Sequence, residues 1–144
     1  MHYLSGKEKK QLNPKLPKGY NIDKKDNIYL KDSVLYKDDK PLFIIISEEY
    51  VPHLKSIPEG VFKSVYIDHG AVPFLMKGAD MMRPGVSEIE EGFESGETIL
   101  IKDEVHKKTL GVGCALFNSK DMKVKEGGKV VKVLHHMKDE FFGR

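Results

Sequence analysis

Apolar positions along this chain fall in short clusters separated by charged or turn-forming stretches, and few of them keep a helical period. Residues 1–25 are lysine-rich and carry Pro14 and Pro17, which stop a long helix. A helical turn or two near Lys7–Leu12, followed by a loop, is the expectation there. Residues 27–36 (NIYLKDSVLY) and 42–47 (LFIIIS) read as two strands joined by the polar turn Lys37–Pro41. Leu42–Ile46 is continuously apolar, as in a strand buried on both faces. Ser47-Glu48-Glu49 opens an expected short helix holding Tyr50, Val51 and Leu54, with Pro52 near its start. The turn Ile57-Pro58-Glu59-Gly60 marks the expected boundary between domains at 1–60 and 61–144.

Beyond it, Val61–Ile67 reads as a strand and Gly70–Lys77 as a two-turn helix, with Pro73 in its first turn and Gly78 as a left-handed stop. Met81–Val86 is expected to be extended up to Pro84-Gly85. Thr98–Ile101, Lys108–Phe117 and Lys129–Leu134 read as strands, with turns at Asn118–Asp121 and Glu126–Gly128. Closely spaced strands with one short helix predict a small barrel rather than a parallel sheet with crossovers.

Composition narrows the class. The chain has 144 residues, 40% hydrophobic and 32% charged, the profile of a globular protein. No apolar run approaches the roughly 20 residues of a membrane-spanning helix, and the N-terminus lacks the pattern of a secretory signal. The single cysteine, Cys114, forms no internal disulfide, so a cytoplasmic location is expected. Net charge is only +2, but it is unevenly spread. Residues 1–25 hold seven lysines against two acids, residues 86–104 seven acids against Lys102, and residues 106–132 seven lysines against two acids. Most of these lysines are solvated surface, yet a polarised small protein also suits a binder of phosphates.

Signs of catalysis are weak. Gly111-Val112-Gly113 begins like a dinucleotide loop, but Leu116 stands where a third glycine belongs and no helix follows. Cys114 has apolar neighbours and reads as a small core residue. His135 and His136 on a strand point to opposite faces, which disfavours a shared metal. Asp68-His69 resembles an acid–base dyad, although Asp68 before a helix reads better as a cap. The glutamates between Glu88 and Glu97 lack the spacing of a calcium loop. No enzyme activity, cofactor or metal is expected.

The stretch Val65–Val86 (VYIDHGAVPFLMKGADMMRPGV) resembles the opening of a PUA domain, a module of RNA-modifying enzymes and translation proteins. Thr109–Gly113 and the ending Gly127–Met137 resemble later strands of that family. With a small module before it, the layout resembles an archaeal relative of the malignant T-cell-amplified translation protein, in which a pre-PUA module precedes a C-terminal PUA domain. The resemblance implies an α+β chain: a small mixed α/β N-terminal domain, then a PUA-like β pseudobarrel with a short helix. It also implies binding of structured RNA (tRNA or rRNA) at the small ribosomal subunit or with a translation factor, and no membrane.

The residues themselves point to the same segment. Gly78 and Ala79 permit close approach of a nucleic-acid backbone. Lys77 and Arg83 flank them, and the Arg83 fork suits a phosphate or a guanine edge. Arg83 bridging to the acidic loop, and Gly78 serving only as a helix stop, are the alternatives. Of Met81 and Met82, one packs in the core and the other is placed to touch a base; Met81 is carried as a candidate. Lys129, Lys132, His135 and His136 line the last strand beside this spot if the PUA arrangement holds.

Overall fold

The computed structural model describes residues 1–17 and 19–143; Lys18, counted among the N-terminal lysines, and Arg144 lie outside them. The described chain forms two compact units, Met1–Val61 and Phe62–Gly143.

The first unit is an antiparallel meander of β1 (His2–Tyr3), β2 (Ile28–Lys31), β3 (Val34–Lys37), β4 (Lys40–Ile46) and β5 (Glu49–Pro52), in that spatial order. Helix α1 (Gly6–Leu12) starts at a capping box, in which the Ser5 hydroxyl accepts the Glu8 amide (3.2 Å) and the Glu8 carboxylate accepts the Ser5 amide (2.9 Å). Leu12 then packs with Ile22, Ile28, Leu35 and Phe43 in one core.

Three two-residue turns join β2 to β5: Asp32-Ser33, Asp38-Asp39 and Ser47-Glu48. All six residues have positive φ, between 49° and 67°, as a type I′ turn requires. This corrects two expectations. Residues 27–36 form a hairpin rather than one strand, and 47–54 contain a turn and a strand rather than a helix. The left-handed conformation costs a non-glycine residue roughly 1–2 kcal/mol. Sheet pairing and burial of Val34, Ile44 and Val51 outweigh that cost here, so the turns form without the Asn-Gly signature.

The second unit contains β6 (Ser64–Ile67), β7 (Met81–Met82), β8 (Val86–Ile89), β9 (Thr98–Asp103), β10 (Thr109–Ala115) and β11 (Lys129–His136). Their order is β7-β11-β10-β9-β6-β8, with β6 and β9 parallel and every other pair antiparallel. The two edge strands, β7 and β8, are consecutive in sequence and joined by the single 3-10 turn Arg83–Gly85. The sheet therefore curls until its edges meet, which makes it a pseudobarrel around Ile67, Leu75, Phe93, Ile101, Met122 and Val130. Gly113 sits at a register shift inside β10; a Cβ there would lie 2.5 Å from Val131 Cγ1 and 2.8 Å from the Lys132 carbonyl oxygen. Only glycine fits.

Two short helices complete the unit, α2 (Val72–Leu75) and α3 (Ser119–Val124). The latter replaces an expected turn, because the Asn118 side chain caps it by accepting the Asp121 amide at 2.8 Å. The acidic stretch from residue 87 to 97, expected as a loop, begins instead within the strand Val86–Ile89, whose Val86 and Ile89 are buried. Among the described residues no helix is long and apolar enough to cross a membrane.

Candidate nucleic-acid interface

The segment from Asp68 to Gly85 is shaped by its own polar contacts. The Asp68 carboxylate accepts the Ala71 amide (2.9 Å) and so caps the 3-10 turn His69–Ala71 that leads into α2. Its role is structural, and His69 stands exposed beside it. Pro73 occupies the first turn of α2, where its missing N–H costs nothing. Gly78, at φ 84°, ends the helical stretch, with the Gly78 amide donating to the Leu75 carbonyl (2.9 Å) and the Ala79 amide to the Phe74 carbonyl (3.0 Å). Asp80 then turns inward: its carboxylate accepts the Val133 amide (2.8 Å) and faces Lys129 Nζ at 3.1 Å. This ties the segment to β11.

An open groove of about 570 Å³ results, lined by Ala71, Phe74, Ala79, Met82, Pro84 and Lys129, with Asp68 and Asp80 also on its wall. Phe74 is 60% exposed and Met82 50%, which is unusual for large apolar side chains on such a small unit. Lys77 is exposed in the turn that closes on Phe74, its amide donating to the Phe74 carbonyl (3.1 Å). Aromatic and thioether surface flanked by ammonium groups suits an unpaired base with its phosphate.

The structure redistributes the expected site residues. Gly78, Ala79, Lys77 and Lys129 fall in or beside this groove, and Lys132 is exposed on β11 but does not line it. Met81 is a correction: it is only 2% exposed and packs in the core, and Met82 is the methionine that faces outward. Arg83 is a second correction. Its guanidinium donates to the carbonyls of Val86 (2.7 Å), Met122 (2.9 Å) and Lys123 (3.4 Å), so the fork closes the barrel seam against α3 instead of facing a ligand. It does not bridge to the acidic loop.

His135 is a third correction. It is fully buried, and Nδ1 lies 2.7 Å from the Asp139 carboxylate. That carboxylate also accepts the amides of His136 (3.0 Å), Phe141 (2.9 Å) and Phe142 (3.0 Å). Burial pushes the Asp139 carboxyl up, but the His135 ring and these amides outweigh it and hold it below the ordinary carboxylate value. His136 is also buried, with Nδ1 accepting the Lys138 amide at 3.3 Å, and its Nε2 lies 3.5 Å from where a Gly78 Cβ would stand. Both histidines thus hold the C-terminal turn, and His136 underlies the helix stop.

Phe74 is the groove residue that sequence reading missed. Its signal was a second large apolar residue directly beside the core residue Leu75, in a helix too short to bury both.

The second unit is a closed pseudobarrel with an exposed apolar groove at its seam, and comparison with known proteins gives its family. The PUA domain model matches residues 63–137, so the chain belongs to the PUA-domain family. Residues 1–59 match a domain of unknown function (DUF1947). The chain is 32% identical to an uncharacterized protein of Methanocaldococcus jannaschii, across 98% of this chain and 94% of that one. It is 30% identical to translation machinery-associated protein 20 of Saccharomyces cerevisiae, across 82% of this chain and 72% of that one. Among solved structures, a PUA domain protein of Aeropyrum pernix, crystallised as a tartrate complex, superposes with a TM-score of 0.82 at 25% identity, over 98% of this chain and 88% of that one.

Proposed function

We propose that this protein binds structured RNA, tRNA or rRNA, through the groove between α2 and β11, and acts in translation without catalysing a reaction on the RNA. The observation that carries this reading is the exposure of Phe74 and Met82 in one groove that Lys129 also lines, with Lys77 exposed in the turn that closes on Phe74. Membership of the PUA family and the kinship with a translation machinery-associated protein support it. An unpaired base stacked on Phe74 gains about 1–3 kcal/mol. The ammonium groups add attraction that weakens with salt. Only unpaired bases can stack on an exposed aromatic ring, so the single-stranded 3′ end of tRNA is the preferred element. The small ribosomal subunit or a translation factor, in the cytoplasm, completes the proposed setting.

The test is anisotropy titration with a full-length tRNA, with and without its single-stranded 3′ end, at two salt concentrations. Phe74→Ala is expected to weaken binding about tenfold or more, roughly 1.4 kcal/mol, and only when the 3′ end is present. Affinity that ignores the end, Phe74→Ala and charge reversal at Lys77 and Lys129 would put the RNA elsewhere on the protein, and no affinity at all would favour docking of a protein in the groove.

A further inference from the structure

A second concave site lies within the first unit. It is a pocket of about 440 Å³ whose rim carries Lys37, Lys40 and Lys55 and whose floor includes Tyr20, Leu42 and Ile57. Among the described residues that line it there is no carboxylate.

Three segments build it, and hydrogen bonds fasten them together. The Ser56 hydroxyl donates to the Pro41 carbonyl, joining the 3-10 turn Leu54–Ser56 to the start of β4. The Tyr20 hydroxyl donates to the Ser56 carbonyl (3.4 Å), which brings in the loop at residues 19–21. His53 Nδ1 accepts the Lys55 amide (3.1 Å) and fixes where that side chain begins.

Charge is the informative feature. Lys37 and Lys40 are direct cross-strand partners on either side of the Asp38-Asp39 turn. Like charges opposed in this way destabilise a hairpin. The turn aspartates are engaged elsewhere: Asp38 accepts the Asn27 amide (3.3 Å) and Asp39 the Tyr29 hydroxyl (2.9 Å). Asp26 offsets Lys37 at 3.4 Å, and among the described residues no carboxylate lies within ion-pair distance of Lys40. An anion seated between these lysines would relieve the repulsion, and the apolar floor would take a ribose or base edge.

We propose that this pocket holds the phosphodiester backbone of RNA, making the N-terminal module a second, sequence-independent RNA contact. The proposal rests on the RNA-binding reading above and goes beyond it, since the groove is in the other unit. Two phosphates neutralised here account for a salt slope of about 1–2.

The experiment titrates full-length tRNA, with and without its single-stranded 3′ end, against the wild type, Lys40→Glu/Lys55→Glu and Phe74→Ala across a salt series, with AMP titrated separately. The double variant is expected to bind about tenfold more weakly, equally for both RNAs, and with a salt slope shallower by about 1–2. Lys40→Glu places an acid opposite Lys37, so the thermal midpoint should hold or rise. Unchanged affinity and slope in the double variant, with wild-type binding intact, overturns this proposal and leaves the groove standing. A wild type that binds no RNA overturns both. Saturable AMP binding that the double variant loses overturns the backbone assignment in favour of a free nucleotide.

Discussion

Replacing Arg83 by alanine should damage the second unit's stability far more than its intrinsic affinity for RNA. The guanidinium makes two short hydrogen bonds, to the Val86 and Met122 carbonyls, and a longer, exposed one to Lys123. A hydrogen bond to a charged group contributes about 1.5–3 kcal/mol. Partial exposure lets water replace part of that, and the longest bond adds little, so the total loss is about 2–4 kcal/mol. For a unit of 82 residues (Phe62–Gly143), 1 kcal/mol moves the thermal midpoint by roughly 4–8 °C, which predicts a fall of about 10–25 °C. Arg83→Lys should land between, because one ammonium cannot span carbonyls on both β8 and α3. The assay is circular dichroism melting beside RNA anisotropy well below the variant's transition. A variant that melts with the wild type yet loses RNA affinity refutes the reasoning and returns the guanidinium to the ligand-facing surface.

Gly113→Ala should cost about 1–3 kcal/mol in urea unfolding, since its Cβ would press into the Val131 side chain and the Lys132 carbonyl. A midpoint unchanged from wild type would show that β10 can shift at its bulge. Asp139→Asn removes the charge and one of the two oxygens that serve the His135 ring and three amides. Because the folded carboxyl is held below its ordinary value, its contribution is present above the unfolded pKa, near 3.9, and is lost as pH falls through the folded value. The gap between wild type and variant should therefore be full at pH 6 and narrow below about pH 4; a gap that widens on acidification contradicts this. Replacing Ser47-Glu48 by Asn-Gly should raise the first unit's stability by about 0.5–1 kcal/mol, because both positions have positive φ. Equal or lower stability in denaturant melts would show that those side chains contribute contacts of their own.

Much of the second unit was legible because glycine and proline sit where only they serve. Gly78 ends a helix in the left-handed region, and Pro73 fits its first turn. The first unit was harder to read. Its reversals are made by Asp, Ser and Glu at positive φ, so local chemistry gave no warning that 27–36 folds back on itself. Short helices failed in both directions: Ser47-Glu48 looked like a cap and is a turn, whereas Asn118 looked like a turn and is a cap. At the candidate site, residue type did not reveal direction. Arg83 and Lys77 carry the same charge, yet only barrel closure decides that one faces inward and the other outward. Likewise Met81 and Met82 are identical residues separated by the alternation of β7, whose phase no single sequence reveals.

The strand orders of the two units also set how soon each can finish folding. In the first, β2 to β5 pair in sequence order through two-residue turns, and β1, which joins β2, is already made. Such local pairing closes quickly. In the second, β7 waits for β11 some fifty residues later, with Met81 opposite Val131. During synthesis, which delivers the N-terminal end first at about 5–20 residues per second, the meander can be native before the barrel has its last stave. Until then Met81 and the edge of β7 stay uncovered, so nascent or C-terminally truncated chains should be the aggregation-prone form of this protein.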